Sequence, residues 1–260
     1  MYKNKFILIT GAMGHLGLVL AEILAKQGCF MILTDIYPKK DFEETLILND
    51  CAALVNNYDY YQIDLRRKPE IHNFIKTVKS NYNKLNGLVN NAAFVGSANL
   101  PNWNVGKFDQ RSEIWKTVFE VNLFSLFDLS QELYPLLAVS NDAAIVNVSS
   151  IYGHSAPDWS IYENENITNP AGYGASKAGV EYITKWMASS FAPNVRVNCV
   201  APGGIYRDHN SNFQINYSSN TLLGRMATEK DIADPIDFLL SEKARYINGQ
   251  ILHVDGGWRL

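Results

Sequence analysis

Short, continuous apolar runs alternate along the chain with longer runs in which apolar residues recur every three or four positions. The first pattern is typical of buried strands and the second of amphipathic helices. Strands are predicted at residues 6–10, 30–34, 58–63, 87–89, 143–148, 195–200 and 250–254. Helices are predicted at residues 16–27, 69–80, about 113–137, 173–190 and 229–240, with a polar helix between the second and third strands.

This alternation predicts an α/β fold. Strands that are apolar throughout, rather than at every second position, indicate a parallel sheet covered by helices on both faces. Right-handed crossovers then give a doubly wound, Rossmann-like sheet. We expect residues 1–260 to form a single dinucleotide-binding and catalytic domain. Because ligands of such folds bind beyond the carboxyl ends of the strands, the residues that follow each strand are the candidates for chemistry.

The composition does not indicate a nucleic-acid or membrane partner. The 260 residues are 47% hydrophobic and 19% charged, with a net charge of −3, and show no basic stripe or polybasic tail. No apolar run approaches the roughly 20 residues that span a bilayer. The chain enters its first strand almost at once, which argues against a signal peptide. We therefore expect a cytoplasmic protein that acts on a small molecule.

A metal site is not expected from the sequence. Cys29, Cys51 and Cys199 are scattered, and the five histidines form no recognised ligand spacing. Cys29 and Cys199 lie in or beside apolar runs, where thiols are usually buried packing groups.

A glycine-bearing turn separates the first strand from the first helix. It reads Thr10-Gly11-Ala12-Met13-Gly14-His15-Leu16-Gly17. Glycines here let the backbone approach a pyrophosphate, and the helix N-terminus supplies N–H donors and a partial positive charge. The turn predicts a dinucleotide site, and a glycine turn without a ligand is the alternative.

Polar or small residues follow the next three strands. Asp35 can accept hydrogen bonds from the adenosine ribose hydroxyls and would repel the 2′-phosphate of NADP, which favours NAD. Asp64 can bond the adenine amino group or, as the alternative, cap the helix that follows. The small residues of Asn90-Asn91-Ala92-Ala93 let the chain lie close to the cofactor.

The residues suited to acid–base chemistry come later in the chain. Ser150 follows the fifth strand, and Tyr173 and Lys177 stand at positions i and i+4 of a helix, so they share one face. A free tyrosine has a pKa of about 10 and is a poor base at neutral pH. Lowering that pKa by about 3 units needs roughly 4 kcal/mol, which one close charge at an effective dielectric near 20 can supply.

These properties suggest a role for each side chain. Tyr173 is the candidate general acid/base, and Ser150 would stabilise charge on the substrate oxygen. Lys177 would favour the phenolate and bind the nicotinamide ribose. For an isolated Tyr-x-x-x-Lys pair, an ordinary helix surface is the alternative.

Together these motifs resemble the short-chain dehydrogenase/reductase family, in its short one-domain branch, over nearly the whole chain. Asn122 matches the helix asparagine of the family's catalytic tetrad, and Ser150, Tyr173 and Lys177 match its other members. Ser150, unlike Ser149, precedes Gly153 by the family's spacing of three. Pro202-Gly203-Gly204-Ile205 resembles the segment that contacts nicotinamide, and residues 223–226, 248–250 and 254–257 resemble the C-terminal signatures.

The resemblance completes the candidate site. The candidate catalytic residues are Asn122, Ser150, Tyr173 and Lys177. The candidate cofactor residues are Gly11, Gly14, His15, Leu16, Asp35, Asp64, Leu65, Asn91, Ala92, Tyr173, Lys177, Pro202, Gly203 and Ile205. The resemblance also implies a homotetramer or homodimer, and the apolar residues between 118 and 137 suit either subunit contact or core packing.

Four features depart from the family pattern. The glycine spacing Gly-x-x-Gly-x-x-Gly is more usual in the sugar-nucleotide epimerase branch, and His15 stands where the short branch has its second glycine. Ala93 replaces a glycine. Arg207 stands where a threonine often contacts the nicotinamide amide. An insertion at about residues 156–170 separates Ser150 from Tyr173, and we expect it over the substrate side, with a plain surface loop as the alternative.

The insertion is also the clue to the substrate. It carries Trp159, Tyr162, Glu163 and Glu165, and with Pro170 it resembles bacterial flagellin-modification oxidoreductases of surface-sugar pathways. Polar and aromatic residues suit a hydroxylated substrate better than an acyl chain. The favoured function is hydride transfer between a nicotinamide cofactor and a sugar-like alcohol or ketone. A sugar-nucleotide epimerase or dehydratase and a non-catalytic nucleotide-binding protein on the same fold are the alternatives.

Overall fold

A computed structural model describes residues 5–95, 98, 100–162, 168–258 and 260. The strands are β1 Phe6–Thr10, β2 Phe30–Asp35, β3 Tyr58–Gln62, β4 Gly87–Asn90, β5 Ala143–Val148, β6 Val195–Pro202 and β7 Ile251–Val254. The helices are α1 His15–Lys26, α2 Lys39–Leu48, α3 Lys68–Asn81, α4 Trp115–Phe119, α5 Ser125–Ala138, α6 Ala171–Phe191, α7 Ser211–Ser219 and α8 Glu229–Leu240.

The strands form one parallel sheet in the order β3-β2-β1-β4-β5-β6-β7. Strands β2 and β3 are added in turn on one side of β1, and the chain then crosses to the other side of β1, where β4 lies. There Leu8 of β1 is paired with Leu88 of β4. Connections beyond β1 and β4 therefore diverge, which opens a crevice at the carboxyl ends of these two strands. The predicted doubly wound Rossmann-like fold is confirmed.

Apolar residues pack on both faces of this sheet. In β1, Ile7 and Ile9 point to one face and pack in the cluster that contains residues of α1 and α8. Leu8 points to the other face and packs with residues of α3, α5 and α6. Successive strand side chains alternate between faces, so only a strand that is apolar throughout can be buried on both sides.

The long helix predicted at about residues 113–137 is interrupted. Helix α4 begins at Trp115, and a wider π-type turn, Glu120–Phe124, separates it from α5. Beyond the turn, the apolar face of α5 is buried in the core. The sequence left two interpretations of these apolar residues, subunit contact and core packing. Core packing accounts for most of them.

Helix α7 was missed by the sequence analysis. Its residues are mostly polar, and only Phe213 and Tyr217, one turn apart, are buried. Asn210 caps the helix by accepting a hydrogen bond from the Phe213 backbone N–H at 2.8 Å. Two aromatic anchors and a cap are too few to produce a detectable helical period.

The cysteines are buried, as predicted for Cys29 and Cys199. Cys29, Cys51 and Cys199 are free and buried, and burial raises the pKa of the Cys199 thiol to about 12. Within the described ranges, no helix has both the length and the apolar character needed to cross a membrane.

Candidate active site

A cavity of about 740 Å³ opens at the carboxyl ends of the strands. All the candidate cofactor residues contribute to its wall: Gly11, Gly14, His15, Leu16, Asp35, Asp64, Leu65, Asn91, Ala92, Tyr173, Lys177, Pro202, Gly203 and Ile205. Ser150 also lies on the wall. The structure thus brings together, in one concave site, residues that the sequence spreads over more than half the chain.

Backbone approaches that only glycine permits shape one end of the cavity. Gly11 has a φ of +68°, and a Cβ added to it would lie 2.8 Å from the Ala92 Cα. A Cβ at Gly17 would lie 2.2 Å from the Gly11 carbonyl oxygen. The Asn91 side-chain amide donates to the carbonyl oxygens of Thr10 and Gly11, each at 3.0 Å, and so fixes the turn against the end of β4.

The N-terminus of α1 is available to an anion. Gly14 is the N-cap residue, so no side chain satisfies the first N–H groups of the helix, and the first turn carries no acidic residue. Unpaired N–H groups together with the helix dipole form an anion site. This turn therefore fits the pyrophosphate of a dinucleotide, with the exposed ring of His15 beside it.

The Asp35 carboxylate is fixed at the end of β2. It accepts hydrogen bonds from the backbone N–H groups of Met13 at 2.9 Å and Ile36 at 2.7 Å. Burial raises the pKa of Asp35, and these backbone hydrogen bonds oppose that effect. A carboxylate has about four lone-pair sites, so Asp35 can still accept from ribose hydroxyls.

Asp64 pairs with a neighbour and does not cap a helix. Its carboxylate accepts three side-chain hydrogen bonds from Arg66, at 2.6 to 3.0 Å, and these lower the Asp64 pKa. Arg67 is the N-cap residue of α3. The capping alternative for Asp64 is therefore wrong, and the carboxylate lies on the cavity wall.

Ser150, Tyr173 and Lys177 meet at the other end of the cavity. Burial raises the pKa of Tyr173, and a side-chain hydrogen bond from Ser150 opposes that effect. The Lys177 Nζ lies 5.9 Å from the centre of the Tyr173 ring. Tyr173 and Lys177 lie on one face of the same helix, as their spacing predicted. Both therefore line this end of the cavity.

Lys177 is a nearly buried amine. Its side chain is 3% exposed, and Nζ donates to the Val148 carbonyl oxygen at 2.8 Å. Burial lowers the pKa of Lys177 to about 8, so the amine is mainly protonated at neutral pH. One N–H is committed to β5, and the other two remain available toward the cavity.

Asn122 lies behind the cavity wall. Its side chain forms two hydrogen bonds with the Phe94 backbone, at 2.7 and 3.0 Å, and donates to the Ser176 hydroxyl at 3.0 Å. Ser176 in turn donates to the Tyr173 carbonyl oxygen at 2.7 Å. The Asn122 side chain therefore ties the segment after β4 to the start of α6, while its neighbour Val121 forms part of the wall.

The insertion reaches the cavity, as expected for a segment on the substrate side. Tyr162, Thr168 and Asn169 lie on the wall. The hydroxyls of Tyr152 and Tyr162 share a hydrogen bond of 2.6 Å, and the Asn169 amide donates to Tyr162 at 3.2 Å. Glu163 and Glu165, predicted to belong to this segment, lie outside the described residues.

The sequence analysis missed a second part of this wall. Helix α7 supplies Phe213 and Tyr217, and His209 packs its ring on Phe213 with centroids 4.9 Å apart. Arg207, which replaces the usual threonine, forms an ion pair with Glu229 beside the cavity. The aromatic residues at positions 213 and 217 were the available signal, but their helix was not recognised.

The fold and this cavity define a nicotinamide-dependent oxidoreductase, and known proteins agree. Residues 11–259 match the family model described as enoyl-(acyl carrier protein) reductase. The 3-oxoacyl-(acyl-carrier-protein) reductase FabG of Thermotoga maritima is 32% identical, over 98% of each chain. Post-translational flagellin modification protein A of Campylobacter coli is 29% identical, over 100% of each chain.

A solved structure of a short chain dehydrogenase is also similar to this protein. The crystal structure of a short chain dehydrogenase from Leptospira borgpetersenii with bound NAD⁺ has a TM-score of 0.85 at 30% identity, covering 100% of this chain and 94% of that one. The chain belongs to the short-chain dehydrogenase/reductase family. The resemblance found in the sequence is thereby confirmed.

Proposed function

We propose that this protein is an NAD-dependent dehydrogenase or reductase that acts on an alcohol or ketone, with a sugar or sugar-derived molecule as substrate. The observation that carries the proposal is the meeting of Ser150, Tyr173 and Lys177 in the same cavity as the glycine turn. The proposal treats residues 1–260 as one cofactor-binding and catalytic unit.

Tyr173 is the proposed general acid/base. In reduction its hydroxyl gives a proton to the substrate oxygen, and in oxidation the phenolate takes that proton back. Ser150 donates a hydrogen bond to the same oxygen and stabilises its negative charge. Lys177, whose Nζ lies 5.9 Å from the centre of the Tyr173 ring, would favour the phenolate when it is charged.

Asn122 is proposed as a positioning residue. Through Ser176 its side chain holds the first turn of α6, which carries Tyr173. Its amide is committed to Phe94 and Ser176, so the Asn122 side chain acts through these contacts and not on the substrate.

The nicotinamide cofactor, when bound, supplies or accepts the hydride. The glycine turn and the α1 N-terminus would hold its pyrophosphate, and Asp35 would hold the adenosine ribose. Lys177 would bind the second ribose, and residues 202–205 would contact the nicotinamide. Asp35 supports NAD over NADP because a fixed, half-buried carboxylate repels a 2′-phosphate.

The lining of the substrate end supports a hydroxylated molecule. Tyr152, Tyr162 and Asn169 present two hydroxyls and an amide to one side of the cavity. Phe213 and Tyr217 supply aromatic faces on another side. Polar groups that fix orientation against an aromatic wall are the general features of a small-molecule site.

The glycine spacing favours one second candidate, a sugar-nucleotide epimerase. The Thermotoga maritima and Leptospira borgpetersenii proteins, matched over nearly the full length of this chain, carry a reductase and a dehydrogenase name, which favours net oxidation or reduction. Product analysis separates the two functions because an epimerase leaves the total amount of NADH unchanged.

We further propose that the chain acts as a homodimer or homotetramer. Phe124, Tyr182 and Trp186 are 44%, 69% and 42% exposed, and Trp186 packs on Phe127 of α5 at 5.9 Å between ring centroids. Exposed aromatic residues on adjacent helices are typical of a contact surface.

The central test is Tyr173→Phe. We expect turnover of a sugar alcohol or ketone panel to fall by at least about a hundredfold, since general acid/base groups contribute about 10²–10⁴-fold. NAD affinity should stay within about twofold. Tyr246→Phe is the matched control because Tyr246 is fully exposed and does not line the cavity. Retained turnover in Tyr173→Phe would overturn the proposed role.

A further inference from the structure

Two histidines and an aspartate meet at the sheet edge formed by β7. His154 follows the catalytic serine, whereas His253 belongs to β7 and Asp255 follows it. One ligand atom from each of the three side chains lies within 4.8 Å of the others. The sequence analysis found no metal spacing because the fold, not the local sequence, brings His154 to the other two.

The two imidazole rings lie face to face. Their centroids are 3.8 Å apart and their planes differ by 1°. Such a stack gains little from ring–ring attraction, since π systems prefer offset or edge-to-face contacts, and two imidazolium ions would repel each other. The nitrogen lone pairs lie in the ring planes and run parallel in this stack, so a cation shared by the two rings requires one ring to turn toward the other.

The third side chain lies next to them. His253 belongs to β7 and Asp255 stands just beyond the end of that strand, with ligand atoms of the two side chains within 4.8 Å of each other. The Asp255 Oδ1 accepts a hydrogen bond from the Gly257 N–H at 3.0 Å, which fixes the carboxylate. Its second oxygen keeps its lone pairs for a ligand.

A buried carboxylate orients the His154 ring. The Glu181 Oε1 lies 3.1 Å from the His154 Nδ1, and the Glu181 side chain is only 13% exposed. Ser149 donates to the same oxygen at 3.0 Å. With Nδ1–H donated to Glu181, the lone pair of Nε2 is left for a metal, which is the arrangement found around most metal-binding histidines.

Gly153 allows this carboxylate to reach His154. A Cβ at position 153 would lie 2.5 Å from the Glu181 Oε1 and 2.7 Å from the Ser149 Oγ. A larger residue would thus displace either Glu181 or Ser149. The orienting carboxylate is therefore built into the fold and does not result from flexible surface side chains.

We propose that His154, His253 and Asp255 bind a divalent transition-metal ion of the Zn²⁺ type, with Glu181 as the orienting carboxylate and water completing the coordination. Two imidazoles and one carboxylate are ligands that Zn²⁺ accepts, whereas Mg²⁺ prefers oxygen ligands alone. Bonds of about 2.0–2.1 Å in a tetrahedron put ligand atoms about 3.3 Å apart. Both histidines are exposed enough to close in by the remaining distance through side-chain rotation.

The ion would stabilise the loop that carries the catalytic serine. His154 ends the short turn Ile151–Gly153, which Ser150 begins as its N-cap residue. Ser149, the preceding residue, bonds to Glu181. Binding of the ion would therefore connect this loop to β7 without placing the metal among the groups that touch the substrate.

The test uses the tag-free, NAD-loaded full chain. Co²⁺, as a spectroscopic probe, should give d–d absorption bands at one ion per chain, and Zn²⁺ should displace it. His154→Ala and His253→Ala should each weaken binding by at least about tenfold, and Glu181→Gln by about 10–100-fold. His72→Ala, an exposed histidine on α3, is the matched control and should bind as the unmodified protein does.

A second readout guards against misfolded variants. Zn²⁺ should raise the thermal midpoint of the unmodified protein and of His72→Ala, but not of His154→Ala or His253→Ala, because a ligand that binds the folded state stabilises it. NAD binding by each variant shows that it is folded. Absence of stoichiometric Co²⁺ binding would overturn the proposal. Equal competition by Mg²⁺, or equal weakening by His72→Ala, would do the same.

Discussion

The properties of Tyr173 and Lys177 follow from opposing effects of burial. Burial raises the Tyr173 pKa and lowers the Lys177 pKa to about 8, so burial alone keeps the phenol protonated and weakens the amine as a cation. The Ser150 hydrogen bond lowers the Tyr173 pKa, and a charged Lys177 would act in the same direction. The tyrosine is thus an acid at rest, and forming its phenolate requires nearby positive charge.

This balance predicts opposite pH profiles for the two directions of the reaction. Oxidation requires the phenolate and the charged Lys177 that favours it, so kcat/KM should rise with pH from about 6 and stop rising near pH 8, where the amine loses its proton. Reduction requires the protonated phenol and the charged Lys177, so its kcat/KM should be level near neutrality and fall above about pH 8, where the amine loses its proton. Initial rates with NAD⁺ and with NADH across this range provide the measurement. A reduction rate that climbs between pH 8 and 10 would contradict the assignment.

For individual residues, the sequence predicted those candidates that are marked by their position, either directly after a strand or on one face of a helix. The choice of Ser150 over Ser149 is supported, because the Ser149 hydroxyl is bonded to Glu181 and to the Lys177 carbonyl. The sequence could not show that Asn122 turns its amide to Phe94. That contact joins residues distant in sequence. The pairing of Asp64 with Arg66 is local, but the sequence offered capping of the next helix as an alternative and could not decide between them.

Four elements are joined by a buried chain of polar side chains. Asn147 of β5 donates to Thr184 of α6 at 2.9 Å and accepts from Asn90 of β4 at 2.8 Å. Asn90 also donates to Ser130 of α5 at 3.1 Å. Buried amides with partners fix the strands and helices relative to one another, and they are costly to leave unpaired.

Asn147→Ala should therefore destabilise the protein by about 1–3 kcal/mol, because Asn90 and Thr184 would each lose a partner where water cannot replace it. Urea unfolding with and without NAD measures the change. Asn73→Ala, on the exposed face of α3, should leave the free energy of unfolding within about 0.5 kcal/mol. A loss at Asn147 no larger than that of the control would show that the network contributes little.

Element prediction succeeded where burial is continuous and failed where it is sparse. Strand β5 and helix α8 were predicted with the bounds that the structure shows, since their apolar patterns end at turn or capping residues. Helix α7 rests on two aromatic side chains and a cap, so it has almost no period. The π-type turn at Glu120–Phe124 lies within an apolar run, and hydrophobicity alone does not distinguish it from regular helix.

For the molecule as a whole, cofactor choice can be measured as stability. A ligand that binds only the folded state raises the thermal midpoint in proportion to its affinity and concentration. At equal concentrations we expect NAD to raise the midpoint more than NADP, and Asp35→Ala to narrow that difference by removing the repulsion of the 2′-phosphate. Asp234→Ala, an exposed carboxylate on α8, is the matched control. A larger shift with NADP in the unmodified protein would reverse the cofactor assignment.

The crossing of the chain between β3 and β4 separates two groups of residues, those proposed to hold the adenosine half of the cofactor and those proposed to contact the substrate. The residues proposed to hold the pyrophosphate and the adenosine, from the glycine turn to Asp64, all precede the return of the chain to the far side of β1, whereas those proposed for the nicotinamide end follow it. Walls that meet the substrate come mostly from after β5, in the insertion and in α7. Substitutions in these later segments can therefore change which substrates fit the cavity, while the residues proposed to hold the pyrophosphate and the adenosine stay the same.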